Sequence, residues 1–327
     1  MIDPDIDSLV NGIQARDRRS LARAITLIES RRADRAELGQ EVLAGVLGLT
    51  GGSIRVGVSG APGVGKSTLV DALGSLLIDR GYHVAVLAVD PSSTVSGGSI
   101  LGDKSRMPRL AADERAFIRP SPTAQNLGGV ARRTREAMLL CEAAGYDIIF
   151  TETVGVGQSE VEVAEMVDFF LVMLLPGAGD ELQGIKKGII ELADAIVINK
   201  ADGDLESQAR HTRNEYAAAL RYVGVSDSPW STEVMAISAR QGEGLEELWS
   251  LVERHRELMS ESGALDERRR QQSRKWLWRR VRERLMESFQ ADRVAASSMP
   301  RLEREVLSGE KTADQAADEL LASWRPN

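Results

Sequence analysis

Gly60-Ala61-Pro62-Gly63-Val64-Gly65-Lys66-Ser67 reads G-x-x-x-x-G-K-S, and its surroundings give that spacing its force. An apolar, β-type run (Ile54-Arg55-Val56-Gly57-Val58-Ser59) leads into it, and an apolar-periodic stretch beginning Thr68-Leu69-Val70-Asp71-Ala72-Leu73 leads out. The pattern is strand, glycine-rich loop, helix. Glycines let successive backbone N–H groups turn inward without a Cβ clash, forming a cradle for anionic oxygens at a helix N-terminus. Lys66 is expected to reach the β/γ-phosphates, and the Ser67 hydroxyl to sit on Mg2+. These residues predict a site for a nucleoside triphosphate, lined by Gly60, Ala61, Pro62, Gly63, Val64, Gly65, Lys66, Ser67 and Thr68.

Composition narrows the remaining choices. At 327 residues the chain exceeds one small core and suggests a large domain with helical appendages. A net charge of −8 argues against nucleic acid as the main partner, because phosphate neutralisation needs clustered cations. The single cysteine, Cys141, excludes an intrachain disulfide framework and fits a reducing compartment. No apolar run approaches 18 residues, and Met1-Ile2-Asp3-Pro4-Asp5 is acidic rather than leader-like, so a cytoplasmic protein without a membrane span is expected.

Residues 1–50 read as a helical extension, with Leu21, Ile25 and Ile28 at helical spacing opposite Arg18, Arg19 and Arg23. Residues 51–258 alternate strands and helices. After the first strand, further strands are predicted at His83–Val89, Tyr146–Thr151, Phe169–Leu175, Ala195–Asn199 and Val234–Ile237. The intervening helices are Gly129–Ala144, Ser159–Met166, Leu182–Leu192, Glu206–Val223 and Leu245–Leu258. Nearly continuous apolar strands are expected where helices cover both faces of a parallel sheet. The fold class is therefore α/β, doubly wound and mainly parallel, with ligands bound at the carboxyl ends of the strands. Residues 259–327 lose the β signal; Leu277, Val281, Leu285 and Phe289 recur every four residues, and Thr312 is placed to cap Ala313–Leu321.

Three later segments select the base. Asn199-Lys200-Ala201-Asp202 (N-K-x-D) ends a predicted strand. The Asp202 carboxylate can accept from both N1–H and the 2-amino group of guanine, whereas adenine leaves it unpaired. Lys200 would lie along the base, and Asn199 would tie this loop to the phosphate loop. Ser238-Ala239-Arg240 follows the next strand and matches the S-A-K/R element whose backbone N–H reads guanine O6. Glu152-Thr153-Val154-Gly155 stands where many small GTPases carry D-x-x-G: the carboxylate would hold the metal and the Gly155 N–H would meet the γ-phosphate. Asp90, at the end of the second strand, is a further metal-sphere carboxylate or a turn residue ahead of Pro91.

With these residues placed, the chain closely resembles the methylmalonyl-CoA mutase-associated GTPases, the MeaB-type family of the signal-recognition-particle-like class. The resemblance runs through Gly60–Thr68, Val89–Ser93, Gly97–Lys104, Thr151–Glu160 and Asn199–Asp202. It implies a homodimeric GTPase chaperone that gates cofactor loading of an adenosylcobalamin-dependent acyl-CoA mutase and protects or reactivates that enzyme. It also implies that Asp103 lies near Mg2+ and the γ-phosphate, and that Leu175–Lys186 is an additional switch communicating with the partner. Three glycines and one proline in that window suit a loop that can reorder. Val156, not Gln, follows Gly155, so no residue is identified that positions the attacking water. Slow intrinsic turnover is expected, rising when the mutase orders the switches, with Lys104, Arg106 and above all Lys186 as candidate cations.

The basic clusters Arg268–Arg270, Arg274-Lys275 and Arg279-Arg280 beside Trp276 and Trp278 could indicate a nucleic acid or membrane surface. The four-residue apolar stripe argues instead for a helix–helix interface, a dimer arm. Among rivals, an ATPase of the same class usually carries a second lysine early in the loop, where Ala61 and Pro62 stand. A nickel-delivery GTPase would need soft or imidazole ligands, and Cys141 with His83, His211 and His255 is a poor set. A small-molecule kinase would need an acceptor lid, and none is recognisable.

Overall fold

A computed structural model describes residues 5–30, 32–89, 105–120, 127–153, 159–177, 187–221 and 228–324. Three helices come first: α1 (Ile6–Gln14), α2 (Arg18–Ile28) and α3 (Ala33–Val46). Asp17 caps α2 by accepting from the Arg19 and Ser20 N–H groups, and Leu21, Ile25 and Ile28 are buried on its inner side with Ile13, Val42 and Val46. The α/β alternation then runs β1 (Ile54–Gly60), α4 (Lys66–Asp79), β2 (Val84–Val89), α5 (Pro108–Ala112), β3 (Ala116–Arg119), α6 (Leu127–Ala143), β4 (Ile148–Thr153), α7 (Ser159–Ala164), β5 (Phe169–Leu174), α8 (Lys187–Ile190), β6 (Ala195–Ile198), α9 (Glu206–Leu220), β7 (Glu233–Ala236) and α10 (Leu245–Glu261).

All strand pairs among the described residues are parallel, in the order β3-β2-β4-β1-β5-β6-β7. The central strands are buried on both faces, which is why they read as unbroken apolar runs. On one face Leu69, Leu73 and Leu77 of α4 and Leu248, Trp249 and Val252 of α10 join Val56, Val58, Phe150 and Phe169 in one core. Each such side chain contributes roughly 1.5–3 kcal/mol by leaving water. On the other face Gly57 lets α7 come close, since a Cβ there would stand 2.8 Å from Val163 Cγ1.

β3 is a strand that the sequence pattern missed. Its four residues, Ala116-Phe117-Ile118-Arg119, are too few for a period to show, and they become a strand by pairing with the free edge of β2. Arg119 at its end pairs with Glu29 next to α2. Arg16, between α1 and α2, donates to the Ala144 carbonyl at 3.1 Å and approaches His83 Nε2 at 2.6 Å. The N-terminal helices and the sheet thus belong to one compact unit, Met1–Asp266. The helix expected over Leu182–Leu192 is described only as the short α8, residues 182–186 lying outside the described segments, and α9 is described over Glu206–Leu220, its expected end at Val223 also lying outside them.

The second compact unit is Glu267–Asn327. It takes up most of α11 (Ala264–Ala291), with α12 (Arg293–Leu307) and α13 (Ala313–Ser323). Leu302, Ala316 and Leu320 form its small core with Phe289, Met299 and Val306. Asp292 caps α12, and Thr312 with Gln315 forms a full capping box on α13. The periodic stripe divides: Phe289 packs inward, while Leu277 (63% exposed), Val281 and Leu285 face outward.

Candidate nucleotide site

The connection leaving β1 runs to β2 on one side of the sheet, and the one leaving β4 runs to β5 on the other. The carboxyl ends of these adjacent strands therefore flank a topological switch point, where open α/β sheets bind ligands. The phosphate loop leaves β1 here and Glu152 sits near the end of β4, the two strands being in register at Val58 and Glu152. The Ser67 hydroxyl donates to Glu152 Oε1 at 2.7 Å, and Glu152 is buried. Beneath them Thr153 Oγ1 donates to Ser59 Oγ at 3.1 Å, joining the two strand ends through buried hydroxyls.

Two glycines of the loop are required by geometry. Gly60 has φ +151°, and a Cβ there would lie 2.5 Å from the Met173 carbonyl of neighbouring β5. Gly65 has φ +100°, and its Cβ would lie 2.5 Å from Asn199 Nδ2. Val64 is fully buried and pins the loop between them, leaving Pro62 and Gly63 at the surface. α4 begins at Lys66, so its free N–H groups and positive dipole end face the loop. Lys66 Nζ donates to the Gly60 and Ala61 carbonyls at 2.8 and 3.1 Å. Burial draws the Lys66 pKa below the ordinary lysine value; the charges of Glu152 and Glu160 oppose that shift, and Arg106 adds to it. Thr68 follows on the exposed side of α4.

The segments expected to read the base meet this loop through Asn199. Its Nδ2 donates to the Val64 carbonyl at 2.7 Å and its Oδ1 accepts from the Ala239 N–H at 3.0 Å, all three residues being buried. One side chain thus joins the phosphate loop, the end of β6 and the exit of β7. Of the backbone N–H groups in Ser238-Ala239-Arg240, one of which is expected to read the base, that of Ala239 is engaged by Asn199. Ser238 acts through its hydroxyl, donating to Asp202 Oδ2 while accepting from the Gln241 N–H at 3.2 Å. That orients a half-buried carboxylate at the surface of the site. Lys200 adopts a left-handed φ of +62° and is exposed, as is Arg240.

Several expected residues fall outside the described segments: Asp90, Asp103, Lys104, Gly155, Gln158 and Lys186. Arg106 is described, is exposed and acts on Lys66. Sequence reading missed Glu160 as a site residue. It only closes the Thr151–Glu160 stretch of the resemblance, yet it is a buried carboxylate whose charge acts on Lys66. Missed also were the Ser59 and Thr153 hydroxyls.

The donor set suits Mg2+. Ser67 and Glu152 offer hard oxygens 2.7 Å apart, and no group of three or more His, Cys, Asp or Glu side chains converges among the described residues. Mg2+ commonly takes one or two carboxylates and completes its sphere with phosphates and water. The histidines do not gather for a softer metal: His255 is buried against Phe169 and Trp230, His83 precedes β2 at the opposite end of the sheet, and His211 is exposed on α9. Among the described residues no helix is long and apolar enough to cross a membrane.

Comparison with known proteins converges on one group. The family model described as "Methylmalonyl Co-A mutase-associated GTPase MeaB" matches residues 21–294. The chain belongs to this family. It is a P-loop GTPase, similar over 98% of both chains to a Caulobacter vibrioides protein described as a GTPase, with 52% identity. The mouse "Methylmalonic aciduria type A homolog, mitochondrial" is 47% identical over 98% of this chain and 80% of its own length. The Escherichia coli "GTPase ArgK" is 48% identical over 83% of this chain and 82% of its own. Among solved structures, one titled "Crystal structure of LAO/AO transport system kinase" aligns over 98% of both chains, with a TM-score of 0.79 and 36% identity.

Proposed function

We propose that this MeaB-family protein is a cytoplasmic, homodimeric GTP-binding chaperone. It associates with an adenosylcobalamin-dependent mutase of the methylmalonyl-CoA type, gates its cofactor loading, and protects or reactivates it. The observation that carries the nucleotide half is the Asn199 clamp: one hydrogen bond ties the Asp202 loop to the phosphate loop, and a second ties it to the Ser238-Ala239-Arg240 segment. Family membership supports the partner half.

In this reading the N–H groups of Gly60–Thr68 hold the β- and γ-phosphates, Lys66 leaves its carbonyl partners for their oxygens, and Asp202 selects guanine. Bound Mg2+ would offset charge on the phosphate oxygens, held by Ser67 and Glu152, with Asp90 and Asp103 as further ligands. Hydrolysis is slow without a partner and rises when the mutase orders the Gly155 and Lys186 segments. The outward stripe Leu277-Val281-Leu285 of α11 supplies the dimer contact. Partner affinity and nucleotide affinity then change by one shared coupling energy.

The test combines competition and capture. GDP should be displaced by GTP but not by ADP or ATP at comparable concentration, and inosine nucleotides should bind at least tenfold more weakly. Immobilised protein should retain a cobalamin-dependent mutase differently with GDP and with a non-hydrolysable GTP analogue. ATP competing equally would favour the ATPase rival. Saturating mutase that leaves turnover unchanged, or a Lys186→Ala protein with full stimulation, would remove the partner half.

A further inference from the structure

The chain leaves β5 at Leu174, and three residues later its backbone is fastened to a distant helix. The Gly177 N–H donates to Thr212 Oγ1 at 3.0 Å, and Thr212 is buried (1% exposed) in the middle of α9. Gly177 has φ +78°, and a Cβ there would run into the amide of Gln208, one turn before Thr212 on the same face. The left-handed φ calls for glycine here, while the exposed Gln208 side chain could move aside. α9 follows the Asn199–Asp202 loop after a single 3-10 turn, Gly203–Leu205, and packs against β6 and β7. One rigid helix therefore carries the base-reading loop at its start and holds Gly177 through its middle.

We propose that Thr212 is a positioning residue for the partner response: it holds the point from which the chain enters residues 178–186 in step with the loop that reads guanine. The inference rests on the proposed role of Leu175–Lys186 as the partner-responsive segment. Thr212 belongs to neither the phosphate loop nor the Asn199–Asp202 and Ser238–Arg240 segments. It acts by fixing Gly177, so its removal should weaken the coupling between nucleotide and partner rather than either binding event. One neutral hydrogen bond contributes enough to change such a coupling about two- to tenfold.

The experiment compares the full-length protein with Thr212→Val, which keeps the shape but removes the acceptor, and Thr212→Ser, which keeps it. Hydrogen exchange at the Gly177 amide, GDP affinity, unstimulated turnover and mutase-stimulated turnover are measured on each. Thr212→Val should exchange faster at Gly177 and lose about two- to tenfold of the stimulation, with GDP affinity and unstimulated turnover within about twofold of wild type; Thr212→Ser should restore both losses. Unchanged exchange at Gly177 overturns the proposal. So does unchanged stimulation, or an equal loss in GDP affinity, which would mark a structural role. Should wild type show no stimulation, the partner reading falls separately. The anchor is then judged by whether Gly177 exchange differs between GDP and a GTP analogue, and no difference overturns it.

Discussion

Replacing Gly65 with alanine should damage the same contact that Asn199→Ala removes, so the two losses should overlap. In Asn199→Ala the buried Val64 carbonyl and Ala239 N–H both lose their partner. At about 1–3 kcal/mol for each unsatisfied buried group, the cost is about 2–5 kcal/mol after partial rehydration. In Gly65→Ala the backbone at φ +100° adds roughly 1–2 kcal/mol of strain. The new Cβ, 2.5 Å from Asn199 Nδ2, also pushes that amide off the Val64 carbonyl, for about 1–3 kcal/mol more. The double variant keeps the strain but cannot lose the Asn199 bond twice. It should therefore be more stable than the sum of the singles predicts by about 1–3 kcal/mol. Urea unfolding followed by tryptophan fluorescence gives the four stabilities, and GDP affinity provides a second cycle. Additivity within about 0.5 kcal/mol would show that the loop and Asn199 are not energetically joined, and the account of the clamp would fail.

Arg55 and Glu142 form a buried pair at 2.8 Å, with the Gly51 N–H also donating to Glu142 at 3.1 Å. Arg55→Met should cost about 3–5 kcal/mol by stranding the carboxylate, and Arg55→Met with Glu142→Leu should recover most of it; a double variant no better than the single refutes this. Tyr146 is buried, and burial pushes its phenol up to about 12, with Cys141 acting in the same direction. The fold holds that proton more tightly than the unfolded chain, so stability is intact below about pH 10 and falls as pH rises towards 12. An ultraviolet titration should find a tyrosine absent from the pH 10 step in wild type, so Tyr146→Phe should show the same step amplitude; a smaller step in the variant would contradict the assignment.

The phosphate loop was legible because its demands are local. Gly60 and Gly65 are dictated by backbone angles and close approaches within one turn of chain, and strand, loop and helix follow one another directly. The parallel sheet was legible from its double burial, which erases alternation in β2, β4 and β5. The N-K-x-D pattern also led to the expectation that Asn199 reaches the phosphate loop, and a hydrogen bond spanning 135 positions joins them. Glu160, Ser59 and Thr153 carried no such mark, since a carboxylate or hydroxyl looks the same in sequence whether it faces Lys66 or water. β3 has no pattern of its own, and the engagement of the Ala239 N–H by Asn199 depends on β6 lying beside β7. Steric and hydrogen-bonding rules acting over a few residues wrote the elements and the anion cradle into the chain. Which hydroxyl orients Asp202, which amide Thr212 holds and which charges reach Lys66 were settled by strand order. Neighbours across a sheet are brought together by packing, and nothing in their spacing along the chain records it.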